Sequence, residues 1–338
     1  MKITMYSTED WDREFFSAAN AGRTHEFDFL EAGLDSATAG IAAGSEAVCC
    51  FVHDQLDAEV LATLKAGGTH AIALRCAGFN NVDLEAAESL GMTVVRVPEY
   101  SPAAVAEHAV ALILALNRNI HRAWNRVREG NFALKGLLGF DLNGRTVGIV
   151  GGGRIGACVG RILHGFGCRL LVADPSCNPE LEPYDVEFVD IDTLLKASDI
   201  ITLHCPLTPD TRHLIDARAI ELMKPGVMLI NTSRGAVVDT RALIAGLKSR
   251  HIGHLGLDVY EQESDIFFQD FSDEMIEDDT LARLLTFPNV LITSHQGFFT
   301  TDALEAIADT TLTNLDQLER GEPCENTVLS ETHLARAE

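Results

Sequence analysis

The chain has 338 residues, 46% of them hydrophobic and 22% charged, with a formal net charge of −24 at pH 7. That length supports two domains with separate cores, and the composition is that of an ordinary soluble globular protein. The acidic balance argues against nucleic acid or an anionic membrane as partner, and no run of about 18 apolar residues reads as a membrane span.

The eight cysteines lack a C-x-x-C spacing. They are expected as reduced thiols, with neither a metal site nor a disulfide framework. The opening run of residues 1–7 is too short and polar for a secretory leader and is expected to form a first strand, so the expected compartment is the cytoplasm.

In chain order, the runs at 3–6, 47–52, 71–74 and 93–97 read as strands. Between them lie a helix with apolar spacing at Leu61 and Leu64, closed by Gly67-Gly68, and one beginning at Asp83 and closed by Gly91. Pro102 opens a long apolar helix to about Leu116, whose face of Ala103, Ala106, Ala109, Ala111 and Ala115 permits close packing. Further strands are expected at 146–150, 170–173, 200–204, 227–231, 256–259 and 290–293. A last helix, from about 302 to 318, is expected to pack on the first domain. Alternation of strand and helix throughout predicts an α/β fold of two Rossmann- or flavodoxin-like doubly wound parallel-sheet domains.

The strand at 146–150 runs into Gly151-Gly152-Gly153-Arg154-Ile155-Gly156. A GxGxxG between an apolar strand and an apolar helix is a dinucleotide fingerprint. Gly151 allows the tight turn, Gly153 the approach of a pyrophosphate, and Gly156 close helix–strand packing. The phosphates would sit at a helix N-terminus. Asp174 lies 18 residues beyond Gly156, where a carboxylate accepts from both ribose hydroxyls and repels a 2′-phosphate, so NAD is expected over NADP.

Three later strands end in residues able to act on a 2-oxo acid. Arg234 follows the strand at 227–231, and a guanidinium holds a planar carboxylate through two parallel hydrogen bonds. Glu263 and His295 follow the next two strands, so both side chains are expected at the same sheet end. A carboxylate beside an imidazole orients it and favours its charged form, the acid required when hydride adds to a ketone.

The stretches at 72–84, 203–209, 231–236 and 257–261 resemble the D-isomer-specific 2-hydroxyacid dehydrogenase family, and within it the bacterial fermentative subgroup that forms D-lactate. The resemblance extends from about residue 2 to 325. It implies that Arg234 binds the substrate carboxylate, that Glu263 supports His295, and that His295 transfers the proton while hydride passes to C2. Cofactor contacts are implied at Arg154, Ile155, Cys205, Pro206, Thr211, Thr232, Ser233 and Asp258, and substrate contacts at Ala77, Gly78, Tyr100 and Phe299. Residues 1–100 plus 299–338 are implied to be the substrate-binding domain and 101–298 the NAD-binding domain. The acidic stretch at 264–280 resembles an insertion of lactate-type members, and the run Ser294-His295-Gln296-Gly297-Phe298-Phe299 resembles their His-Gln-Ala-Phe motif, with glycine in place of alanine. A helix-rich segment at 117–142 is expected between subunits of a homodimer or homotetramer.

The function so implied is reduction of pyruvate to D-lactate with NADH. Two alternatives are another D-2-hydroxy acid (a bulkier 2-oxo acid, glyoxylate or hydroxypyruvate as the oxo form) and a non-catalytic NADH-sensing protein on this fold. Side-chain selectivity in an apolar pocket amounts to only about 1–3 kcal/mol per methylene, so the residues alone leave the substrate open.

Overall fold

The computed structural model describes residues 1–263 and 266–330; the first two residues of the expected 264–280 insertion and the end of the expected 299–338 segment lie outside the described residues. The chain divides into two compact units, Met1–Ser101 with Phe299–Glu338, and Pro102–Phe298.

The first unit contains β1 (Lys2–Met5), α1 (Asp10–Ala19), β2 (Glu26–Phe29), β3 (Ala47–Cys50), α2 (Ala58–Ala66), β4 (Ala71–Leu74), α3 (Leu84–Ser89) and β5 (Thr93–Val95). The strands run parallel in the order β5-β4-β3-β1-β2, the flavodoxin-like arrangement, and a C-terminal strand, Thr327–Val328, pairs antiparallel with β5. Strands β3 and β4 are buried at every residue, which is why their sequences are apolar without alternation. Asp57 and Asp83 start α2 and α3 by accepting backbone N–H bonds from their first turns.

The C-terminal helix, Thr301–Glu319, packs on α1 and β4 as expected. Arg23 fastens it through Asp309 and Asp316, both at 2.9 Å, and the Met1 ammonium through Glu319. His25, Asp316 and Glu319 come close enough to share a cation, but the Arg23 and Met1 charges already occupy their carboxylates. Helix α1 and strand β2 were not anticipated. The Glu-Phe-Asp-Phe alternation of β2 is that of a half-exposed edge strand, too short for periodicity to register.

The second unit contains α4 (Pro102–Asn117), α5 (Ile120–Arg128), β6 (Thr146–Val150), α6 (Arg154–Gly165), β7 (Arg169–Ala173), β8 (Val186–Phe188), α7 (Ile191–Ala197), β9 (Ile200–Leu203), α8 (Ala217–Leu222), β10 (Val227–Asn231), α9 (Thr240–Lys248), β11 (Ile252–Leu257), α10 (Asp279–Leu285) and β12 (Val290–Ile292). All seven strands are parallel, in the order β12-β11-β10-β9-β6-β7-β8. Counted from β6 this is the dinucleotide-binding order 3-2-1-4-5-6 with one strand added.

Helix α4 lies against α6 and the sheet; of the expected alanine face only Ala106 and Ala109 are fully buried, Ala103 and Ala115 are half-buried, and Ala111 is exposed. Gly256 completes that fit, since a Cβ there would stand 2.8 Å from Ile230 and 3.1 Å from Leu116. The segment at 117–142 departs from expectation: helix ends at Arg128, and residues 129–145 are turns and extended chain. Asn131 and Gly136 interrupt it, and no apolar period continues beyond Val127. Among the described residues no helix is long and apolar enough to cross a membrane.

Candidate active site

The switch in strand order between β6 and β9 opens a crevice at the carboxyl end of the sheet, and the glycine-rich turn lines it. Gly151 has φ +96°, and a Cβ there would lie 2.6 Å from the Cys205 nitrogen. At Gly156 a Cβ would lie 2.1 Å from the Gly151 carbonyl oxygen. Only glycine satisfies both. Gly153 faces open space and begins α6 without a side-chain cap, which leaves room for an anion over the first turn, where Arg154 and Ile155 stand.

Asp174, at the end of β7, accepts the Gly152 N–H at 2.7 Å and both the N–H and hydroxyl of Ser176. Its carboxylate is therefore fixed beside the turn, within the same crevice. Cys205 packs on the other side, and burial pushes its thiol up to about 11, so it serves as a packing group and not a thiolate. The Thr211 hydroxyl donates to the Pro206 carbonyl, shaping the loop after β9. Thr232 is buried, and among the described residues its hydroxyl has no hydrogen-bond partner, an orphan polar group of the kind a bound ligand satisfies. These features fit an NAD-type dinucleotide.

Arg234 follows β10 in a loop held by Asn231, whose amide donates to the Arg234 carbonyl and accepts from the Ser233 N–H and hydroxyl. Gly235 then lies directly on the Tyr260–Glu261 backbone: a Cβ would meet the Tyr260 carbonyl at 2.1 Å. This contact brings the loop after β10 against the loop after β11. Among the described residues Arg234 makes no ion pair, and its one side-chain bond is to the Ser233 carbonyl at 2.7 Å.

Glu263 accepts the Tyr260 N–H through Oε2 at 2.8 Å and meets His295 Nδ1 through Oε1 at 2.9 Å. One carboxylate thus ties the loop after β11 to the turn after β12. His295 has φ +51°, a left-handed backbone that side-chain-bearing residues rarely adopt. Its N–H donates to the Asp258 carbonyl at 2.7 Å. The Phe268 ring stands 6.0 Å from the imidazole. With Nδ1 engaged, Nε2 is the nitrogen left to exchange a proton with a substrate oxygen.

Asp258 is placed differently from a simple cofactor contact. It is 2% exposed, and its carboxylate accepts from the Thr293 hydroxyl, the Gln296 N–H and the Gly297 N–H. Burial alone would raise its pKa, but the bonds from His108 and Thr293 hold it below the usual carboxylate range. Sequence reasoning passed over His108 and Thr293; His108 sits beside Glu107 in a mostly apolar helix, with nothing in its spacing to mark it. It also passed over Glu261, which accepts from His213 and Thr240 and braces the same loop.

The remaining expected residues, Ala77, Gly78, Tyr100 and Phe299, belong to the first unit. The Ala77 carbonyl accepts from Arg96 at 2.7 Å and the Gly78 carbonyl from the Cys76 thiol. Tyr100 is half-buried, and Phe299 meets Trp11 edge-on at 4.9 Å.

Residues 110–297 match the family described as D-isomer specific 2-hydroxyacid dehydrogenase, NAD binding domain. The chain is 51% identical to the D-lactate dehydrogenase of Escherichia coli over 326 residues, covering 96% of this chain and 99% of that one. Among solved structures, the pyruvate reductase of Chlamydomonas reinhardtii superposes with a TM-score of 0.92 at 44% identity, over 96% of this chain and 98% of that one. The NAD-complexed D-isomer-specific 2-hydroxyacid dehydrogenase of Lactobacillus delbrueckii ssp. bulgaricus gives 0.80 at 30% identity, over 97% and 100% of the two chains.

Proposed function

The chain belongs to the D-isomer-specific 2-hydroxyacid dehydrogenase family, and we propose that it is an NAD-dependent D-lactate dehydrogenase that reduces pyruvate through Arg234, Glu263 and His295. The observation that carries the assignment of roles is the 2.9 Å bond between His295 Nδ1 and Glu263, which leaves Nε2 for the substrate. NAD supplies the chemistry of hydride transfer. Arg234 receives the pyruvate carboxylate in a two-bond grip and orients C2. Protonated His295 donates from Nε2 to the C2 oxygen as it gains charge, and neutral His295 takes that proton back in the reverse direction. Glu263 fixes the tautomer and balances the imidazolium.

Pro102–Phe298 is assigned to the cofactor. Gly151, Gly153, Arg154, Ile155 and Gly156 serve the pyrophosphate and Asp174 the ribose hydroxyls, with Cys205, Pro206, Thr211, Thr232, Ser233 and Asp258 completing the site. The unit built from Met1–Ser101 and Phe299–Glu338 is assigned to substrate selection through Ala77, Gly78, Tyr100 and Phe299.

Self-association is assigned to α5 and the chain after it. Ile120, Trp124 and Val127, on α5, are each more than half exposed, as are Phe132, Leu134 and Leu138. A second copy of the chain covering this apolar strip accounts for them. Eight free cysteines, five of them buried, suit the reducing cytoplasm.

The deciding experiment is NADH oxidation across pyruvate, 2-oxobutyrate, phenylpyruvate, glyoxylate and hydroxypyruvate, with chiral analysis of the product. Fastest turnover of pyruvate to D-lactate is expected. A D-product made best from another oxo acid overturns the substrate, and NADH binding without turnover overturns the enzyme.

A further inference from the structure

Resting on that reading, we propose that His108 is a positioning residue, which acts with Thr293 and Asp258 to hold His295 in its reactive turn. Three consecutive N–H groups, those of His295, Gln296 and Gly297, all donate to Asp258: the first to its carbonyl at 2.7 Å, the next to Oδ1 at 2.9 Å, the last to Oδ2 at 2.8 Å. A left-handed residue with a side chain persists only where its surroundings over-determine it, and these three bonds do so. The last two hold only while the carboxylate keeps one orientation.

Two side chains fix that orientation. The Thr293 hydroxyl donates to Oδ1 at 2.5 Å, and His108 Nε2 stands 3.2 Å from the same oxygen and 3.0 Å from the Thr293 oxygen. Thr293 belongs to the turn it steadies. His108 does not. It comes from α4, so it ties the turn to a helix packed across the sheet. Gly297 is part of the same device, because a Cβ there would lie 2.9 Å from Asp258 Oδ2 and 3.6 Å from His108. The glycine in this motif therefore admits the carboxylate to the backbone, a role separate from pocket size.

Without His108 the carboxylate keeps only one of its two side-chain restraints, the Thr293 hydroxyl, so residues 295–297 relax and the imidazole leaves Glu263. The test compares wild type with His108→Leu, His108→Gln and Thr293→Val, using pyruvate turnover, NADH titration by fluorescence, and crystal structures. A misplacement of about 1 Å lowers rates by up to about 100-fold, so His108→Leu is expected to lose at least about tenfold in kcat, with the NADH dissociation constant within about twofold. His108→Gln, which keeps a donor, is expected to recover most of that loss. In the crystal, His108→Leu is expected to show His295 out of the left-handed region or out of reach of Glu263.

Unchanged kcat, no recovery by glutamine, NADH affinity falling in step with kcat, or an unmoved His295 in the variant crystal each overturns the proposal. If His108→Leu does not fold, Thr293→Val decides by the same readouts. A wild type that turns over no 2-oxo acid defeats the functional reading instead, and the crystal structures then judge the brace alone.

Discussion

Two turns at the carboxyl end of one sheet bend the same way for different purposes. After β6 the chain turns at Gly151, φ +96°; after β12 it turns at His295, φ +51°. The first has no side chain because the Cys205 backbone occupies the place where one would go. The second keeps its side chain, the ring to which the proposed mechanism assigns the proton. A left-handed residue other than glycine costs roughly 1–3 kcal/mol, and at His295 the hydrogen bonds of Asp258 offset it. Where function asks only for backbone N–H groups, glycine solves the geometry locally. Where it asks for a functional group in the same conformation, distant residues have to impose it.

The sharpest way to break this comparison is His295→Gly, which deletes the acid and keeps the bend. Pyruvate reduction should fall by roughly 10³-fold while the thermal midpoint holds or rises. A midpoint lowered as much as by a core substitution would show that the turn carries no conformational penalty. Gly151→Ala makes the opposite change. The clash with Cys205 and the positive φ should weaken NADH binding by about 100-fold and lower stability by about 2 kcal/mol, read by fluorescence titration and melting. Retained affinity would mean that the turn has slack.

Glu263→Gln should lower kcat by roughly 10- to 100-fold and leave NADH binding alone, since the carboxylate meets only the histidine side of the site. A kcat within twofold of wild type removes the dyad from the mechanism. Asp174→Ala belongs to the glycine side and should shift the NADH-to-NADPH preference by about tenfold, measured as kcat/KM for each. An unchanged ratio would mean that another group reads the ribose.

Acid should strain the two turns in sequence. His204, beside Gly151, is half-buried with its Nδ1 enclosed, and desolvation of the ring pushes its pKa down to about 3. The unfolded chain protonates this imidazole below about pH 6.5 and the folded one does not, so stability falls as pH drops from there toward 3. Asp258 behaves otherwise: its lowered pKa contributes stability above about pH 3.9, lost only as pH falls through the lower folded value. Urea denaturation at pH 7.5 and pH 5 should therefore show a decline that His204→Gln flattens and Asp258→Asn preserves. The same decline in both variants would assign it elsewhere.

Much of the fold was legible because its signals are local. The buried strands at 47–50 and 71–74, and residues 227–230 of β10, are unbroken apolar runs, and the fingerprint at 151–156 states its own backbone demands. Edge elements were less so: β2 and β8 have four and three residues, too few to show a period. The segment expected to be helix-rich across 117–142 is helical only to Arg128. Asp258 was legible as a site residue only through the family resemblance, and not as the acceptor for the turn at 295–297.

By itself the sequence determined which groups stand at the strand ends: a glycine-rich turn, an arginine, a glutamate and a histidine. Tertiary structure alone decided how the histidine is held. His108 and Thr293 are 185 positions apart, and Asp258 and Gly297 are 39 apart. Hydrogen bonds over such separations leave no periodicity in the chain, because they follow from where parallel strands and a covering helix end, and not from the order of neighbouring residues.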